Sequence, residues 1–93
     1  MSAQGRGGAK RRRTHSAVTG DLTKRVAAEI RKARSAAGIT QREFAARLNK
    51  SQQWASDAEH GKARIWIHEL PSIAEALGFD VFELLRRVKR SRE

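Results

Sequence analysis

The run Ser51-Gln52-Gln53-Trp54-Ala55-Ser56-Asp57 places two adjacent glutamines, a serine and an aspartate on one short polar stretch. A glutamine amide carries a donor and an acceptor at fixed separation, which matches the N7 and N6 edge of adenine in a DNA major groove. Gln52 and Gln53 are therefore candidates for base contact, with Ser56 and Asp57 beside them. Polar and basic side chains flank the run on both sides and suit phosphate: Gln41, Arg42, Lys50 and Ser51 before or at its start, Lys62 and Arg64 after it. Other chemistries find no matching residues. No Ser/His/Asp set, paired carboxylate or glycine-rich phosphate loop emerges, and the GRGG of residues 5–8 has neither a strand before it nor a helix opening directly after it. His15, His60 and His68 are not paired at metal-ligand spacing, and the absence of cysteine excludes disulfides and thiolate metal sites. No enzyme activity, cofactor or metal is expected.

Two short helices must hold these groups. Thr40 is a good N-cap, and Glu43 three residues later completes a capping box, so a helix starts at Gln41. Phe44, Ala45 and Leu48 share one face of it at helical spacing. Asn49 tolerates the positive φ of a reversal, and Ser51 caps the next helix, which offers only Ala55 and Ala58 inward before Gly61 provides a left-handed stop. Two helices joined by a three- or four-residue turn form a helix-turn-helix unit, whose second helix can enter a major groove. Ala45 supplies the small side chain that such a crossing needs.

The pattern Arg34, Gly38, Thr40-Gln41, Phe44-Ala45, Ser51-Gln52-Gln53, Ser56, Glu59, Gly61 resembles the lambda-repressor-like helix-turn-helix family, also called the XRE or Cro type. The likeness runs from about Leu22 to Leu85. It implies an all-α, compact five-helix fold, binding to double-stranded DNA at a palindromic operator as a homodimer, and a structural ion pair between Arg34 and Glu59. Three features depart from the family pattern. Ala55 and Ala58 are small where larger aliphatics are usual, Trp54 is a large ring that we expect to fold back over the space they leave, and Trp66 and Phe82 are aromatics without a core slot. The last two are candidate dimer contacts.

The remaining chain divides at about residue 20. Residues 1–20 contain five bases, including Arg11, Arg12 and Arg13, and no acid, which is half of the formal net charge of +10. With four glycines and little to bury, this segment is expected to be a disordered basic arm that touches DNA phosphates. Residues 21–90 form the domain. Asp21 caps a first helix over 22–37 with Leu22, Val26, Ile30, Ala33 and Ala37 inward. Gly38 ends it, and Ile39 supplies a hydrophobic contact there. A fourth helix covers 67–77 with Ile67, Leu70, Ile73, Ala74 and Leu77 buried. Pro71 is comfortable only in a first turn, so the helix either starts later or is distorted there. Phe79 joins the core. Asp80 and Glu83 cap a fifth helix over 81–89, with Val81, Leu84, Leu85 and Val88 inward, and residues 89–93 fray.

These readings predict a cytoplasmic, nucleoid-associated transcriptional repressor. An antitoxin of the same fold, with a toxin protein as partner, is the alternative, and a nonspecific DNA compactor is a third reading that Gln52 and Gln53 argue against. No apolar run approaches the roughly 20 residues that span a bilayer, so no membrane role is expected.

Overall fold

Apolar side chains spaced three and four apart pull five helices onto one core. A computed structural model describes residues 17–90. The helices are α1 (Asp21–Ala37), α2 (Gln41–Arg47), α3 (Gln52–Glu59), α4 (Leu70–Ala76) and α5 (Val81–Arg90), with a 3-10 turn over Ile67–Glu69 leading into α4. Val26, Ile30 and Ala33 of α1 meet Phe44 and Ala45 of α2, Ala55 and Ala58 of α3, Ile73 and Ala74 of α4, and Leu84 and Val88 of α5. Alanine dominates the part of this core under α3, which lets that helix sit close to its neighbours.

Helix ends follow local chemistry. Thr40 Oγ1 accepts from Glu43 N–H and Glu43 Oε1 accepts from Thr40 N–H, a complete capping box. Gly38, at φ 74°, donates to Ser35 O while Ile39 donates to Arg34 O, which closes α1 with the paired bonds of a Schellman stop. Glu83 N–H donates to Asp80 Oδ1 at the start of α5.

Several expectations are corrected. Asp21 does not cap α1: Gly20 occupies the cap with φ 64° and no side-chain bond, and Asp21 lies in the first helical turn, paired with Arg25 one turn on. Leu22 is 39% exposed and Ala37 is exposed. At that end of α1 the buried apolar side chain is instead Val18, whose N–H donates to Ile65 O at 2.7 Å and whose carbonyl accepts from Thr23 Oγ1. Ala17 also pairs with Trp66 as an isolated antiparallel bridge. Ala17 and Val18, on the arm side of the expected boundary, thus pack against the domain and satisfy the backbone of the connector after α3. The expected disorder of the preceding arm, with Arg11, Arg12 and Arg13, and the fraying of 91–93 lie outside the described residues, while Lys89 and Arg90, also expected to fray, are the last residues of α5.

Pro71 sits in the first turn of α4, where its missing N–H costs nothing. The residues before it form the 3-10 turn, which leaves Ile67 45% exposed rather than in the core. On α5, Leu84 and Val88 define the buried line, and Leu85, about 100° round from Leu84 on a helix of 3.6 residues per turn, is 46% exposed. Phe79 is half-buried against the core, under the Arg87 guanidinium at 4.3 Å from the ring centre.

Candidate nucleic-acid interface

The two helices of the motif meet through a tight reversal. Leu48 and Asn49 donate to Ala45 O and Ala46 O, Asn49 takes φ 59°, and Lys50 N–H returns to Ala45 O at 2.9 Å. Ser51 Oγ then accepts from Trp54 N–H and starts α3. Ala55, Ala58 and Glu59 face inward, while Ser51, Gln52 and Gln53 at the N-terminal end are exposed, and Ser56 and Asp57 are half-buried. Gly61, at φ 72°, turns the chain away after α3.

The buried anchor of this arrangement is Glu59. The Arg34 guanidinium forks onto it, with Nε bonded to Oε2 and NH2 to Oε1, and a third donor, Gln41 Nε2, reaches Oε1 at 3.2 Å. The hydrogen bond that Arg34 donates to Glu59 raises the Arg34 pKa above its ordinary value despite the opposing effect of burial. Arg34 also donates to Ile39 O, so one side chain joins α1, the turn into α2, and α3. Gln41, expected on phosphate, has its amide nitrogen directed at this cluster.

On the exposed side, Gln53 Nε2 donates to Asp57 Oδ1 at 3.0 Å, so these two residues lie together on the outer face of α3. Gln52 stands beside them with its side chain in solvent. Trp54 turns back instead: its ring lies 5.9 Å from that of Phe44, tilted by 32°, with Lys50 Nζ over its outer face at 5.4 Å. Lys50 reaches Glu69 Oε2 at 2.9 Å as well. Arg42, Lys62 and Arg64 are exposed, and Arg64 lies over the Trp66 ring at 5.6 Å. Arg64 and Trp66 thus share the connector between α3 and α4, while Phe82, 68% exposed, lies on α5.

Sequence reasoning missed two supports of this face. Arg47 donates to Ala76 O at 2.9 Å and ties α2 to the end of α4. Glu69 accepts from Trp66 N–H at 2.9 Å and caps the 3-10 turn from within. Only this half of a capping box forms, since an indole N–H cannot accept. An acid three residues after the start of the turn was the available signal for it; no local signal marks the Arg47 bond. Among the described residues no group of His, Asp or Glu is arranged to hold a metal ion, and no helix is long and apolar enough to cross a membrane.

Comparison with known proteins agrees with this geometry. A family model described as a helix-turn-helix domain matches residues 25–92. The crystal structure of the clp gene regulator ClgR from C. glutamicum is similar, with TM-score 0.72 and 28% identity over 81% of this chain and 97% of that one. An XRE-family like protein from Pseudomonas syringae pv. tomato str. DC3000 shares 32% identity, with TM-score 0.67, over 77% of this chain and 88% of its own. The restriction-modification controller protein C.Esp1396I, crystallised as a tetramer with its natural 35 base-pair operator, is 25% identical with TM-score 0.65, over 76% of this chain and 99% of that one. No curated protein sequence matches the chain. The match across 25–92, together with the capped α2–turn–α3 unit, shows that the chain belongs to the lambda-repressor-like, XRE-type family of helix-turn-helix domains.

Proposed function

We propose that this protein is a sequence-specific DNA-binding transcription regulator that represses by occupying a palindromic operator as a dimer. The observation that carries the reading is the division of α3 into a buried face of Ala55, Ala58 and Glu59 and an exposed N-terminal end bearing Gln52 and Gln53. A helix anchored by one face and polar at its leading end is what a major groove admits. The gene regulator and the operator-bound controller protein described above support the role. In this reading Gln52, Gln53, Ser56 and Asp57 face base edges, while Ser51, Arg42, Lys62 and Arg64 face phosphate. Lys50 exchanges Glu69 for a phosphate oxygen. The arm with Arg11, Arg12 and Arg13 adds charge along the backbone. Phe82 and Leu85, three residues apart on α5 and both exposed, supply the apolar part of the dimer contact, with Trp66 contributing from the connector. No catalytic step, metal or cofactor is assigned, and the site of action is the nucleoid in the cytoplasm.

The test is selection of bound duplexes from a random pool. Two inverted half-sites about 10 base pairs apart, one turn of DNA, are the expected product. A pool that stays unenriched, or enriches one isolated half-site, overturns the operator reading. Gln52→Ala or Gln53→Ala should cost about 1–3 kcal/mol on the selected site and flatten one or two positions.

A further inference from the structure

The Gln53–Asp57 bond bears on which base the recognition helix selects. An unrestrained glutamine amide can turn over about its last bond, so it presents donor and acceptor in either order and fits several base edges. Here that freedom is removed. Gln53 Nε2 donates to Asp57 Oδ1 at 3.0 Å, and an ionised carboxylate only accepts. The reversed amide would set Gln53 Oε1 against Asp57 Oδ1, two oxygens with no proton between them. The backbone at Asp57 is fixed, because its carbonyl accepts from the N–H groups of His60, Lys62 and Ala63 at 3.1, 2.8 and 3.2 Å, so the carboxylate swings only about its own side-chain bonds.

The hydrogen count of Gln53 then decides the outcome. One Nε2 hydrogen is committed to Asp57, which leaves one hydrogen and the carbonyl oxygen for DNA. Adenine presents N7 as acceptor and N6 as donor, so the remaining pair fits it. Guanine presents N7 and O6, two acceptors, and a bidentate contact there needs both amide hydrogens. We infer that Asp57 is a specificity-determining residue, which by holding one hydrogen of the Gln53 amide makes that glutamine select adenine over guanine. The inference rests on the proposed role of α3 in reading bases. A second consequence follows from charge. A carboxylate on a helix facing phosphates opposes binding to every sequence, so Asp57 lowers overall affinity while it raises selectivity.

Titrations with wild type, Gln53→Ala, Asp57→Ala and Asp57→Asn test this, each protein first confirmed folded by its thermal melt. The base pair read by Gln53 is the one that Gln53→Ala flattens, and duplexes carrying each of the four bases there are compared. Wild type should prefer adenine over guanine by about tenfold, within the discrimination of a bidentate contact. Asp57→Ala should bring that ratio to within about twofold of unity and bind random duplex more tightly. Asp57→Asn, whose amide can accept or donate, should fall between. If both Asp57 variants keep the wild-type ratio while Gln53→Ala flattens it, the inference is overturned and the base-reading role of α3 stands. If Asp57→Ala keeps the wild-type adenine-to-guanine ratio and instead loses preference for cytosine at a different position, Asp57 acts only on a base of its own and not through Gln53, and the inference is again overturned. If Gln53→Ala leaves every preference intact, both fall together.

Discussion

Glu59 is only 2% exposed, and Arg34 forks onto both of its carboxylate oxygens while Gln41 adds a third donor. Removing one partner of a buried pair leaves the other charge uncompensated, which typically costs 3–5 kcal/mol, about the lower end here because the Arg34 side chain is 18% exposed. Arg34→Ala should therefore lose about 3 kcal/mol in urea denaturation, while Gln41→Ala should lose about 1 kcal/mol or less. Equal, small losses from both would mean that the pair is an ordinary surface contact. The same cluster shows what sequence reveals at this scale. Thr40 with Glu43, Ser51, Asn49 and Gly61 were legible because a cap or a left-handed turn is decided within about four residues. The Arg34–Glu59 pair was legible only through family resemblance. Gln41 reads from sequence as a phosphate contact, and its bond to Glu59, 18 residues away, is set by how α2 crosses α3.

Among the elements, the entry to α4 depends on one carboxylate. Burial pushes the Glu69 pKa up, but the Trp66 N–H and the Lys50 ammonium outweigh it and hold the group below its usual value. Glu83 is lowered too, by hydrogen bonds from Arg87 and then Arg86. A carboxylate with a depressed folded pKa contributes stability that is present above its unfolded pKa and is lost as pH falls through the folded one. The melting temperature should thus decline on acidification from about pH 4.5, near the free carboxylate value. Glu69→Gln should be less stable at pH 7 and should show a shallower acid decline. A variant with the wild-type decline would show that Glu69 contributes nothing to it. The five helices were legible from periodicity, yet their ends and outer stripes were not uniformly so. Pro71 signalled a late or distorted start without deciding between them, and the structure has both, a 3-10 turn followed by an α-helix. Leu22, Ile67 and Leu85 matched the apolar period but lie where none of the described elements covers them. Exposed Leu85 joins Phe82 on α5, so Phe82→Glu should weaken self-association, seen in sedimentation as a shift toward monomer, and leave the melt nearly unchanged. A shift in the melt without a shift in mass would place Phe82 in the folded unit rather than at a contact between copies.

For the whole molecule, the basic segment is attached differently from what composition alone suggests. Charge and glycine content mark residues 1–20 as one arm, but Val18 is buried and bonded to Ile65, and Ala17 is bridged to Trp66. Nothing local in the HSAV of residues 15–18 announces this pairing, since Ile65 lies 47 positions beyond Val18. The root of the arm is therefore fixed beside the connector that carries Lys62 and Arg64, and truncations must respect it. Deleting residues 1–16 removes Arg6, Lys10, Arg11, Arg12 and Arg13 and leaves Ala17 and Val18 in place. Deleting 1–18 also exposes the site of Val18, whose burial is worth about 1.5–3 kcal/mol, so that variant should melt lower while the shorter deletion should not. Each phosphate neutralised by a basic side chain contributes about 0.9 to the slope of log affinity against log salt. If most of the five bases touch phosphate, the 1–16 deletion should flatten that slope by several units on operator and on scrambled duplex alike, with sequence preference kept because Gln52 and Gln53 are untouched. Loss of A·T preference at one flanking position as well would place the arm in the minor groove, where arginine senses groove width. An unchanged slope and affinity would reduce the arm to a solvated appendage and leave Lys62, Arg64, Arg42 and Lys50 to supply the phosphate contacts.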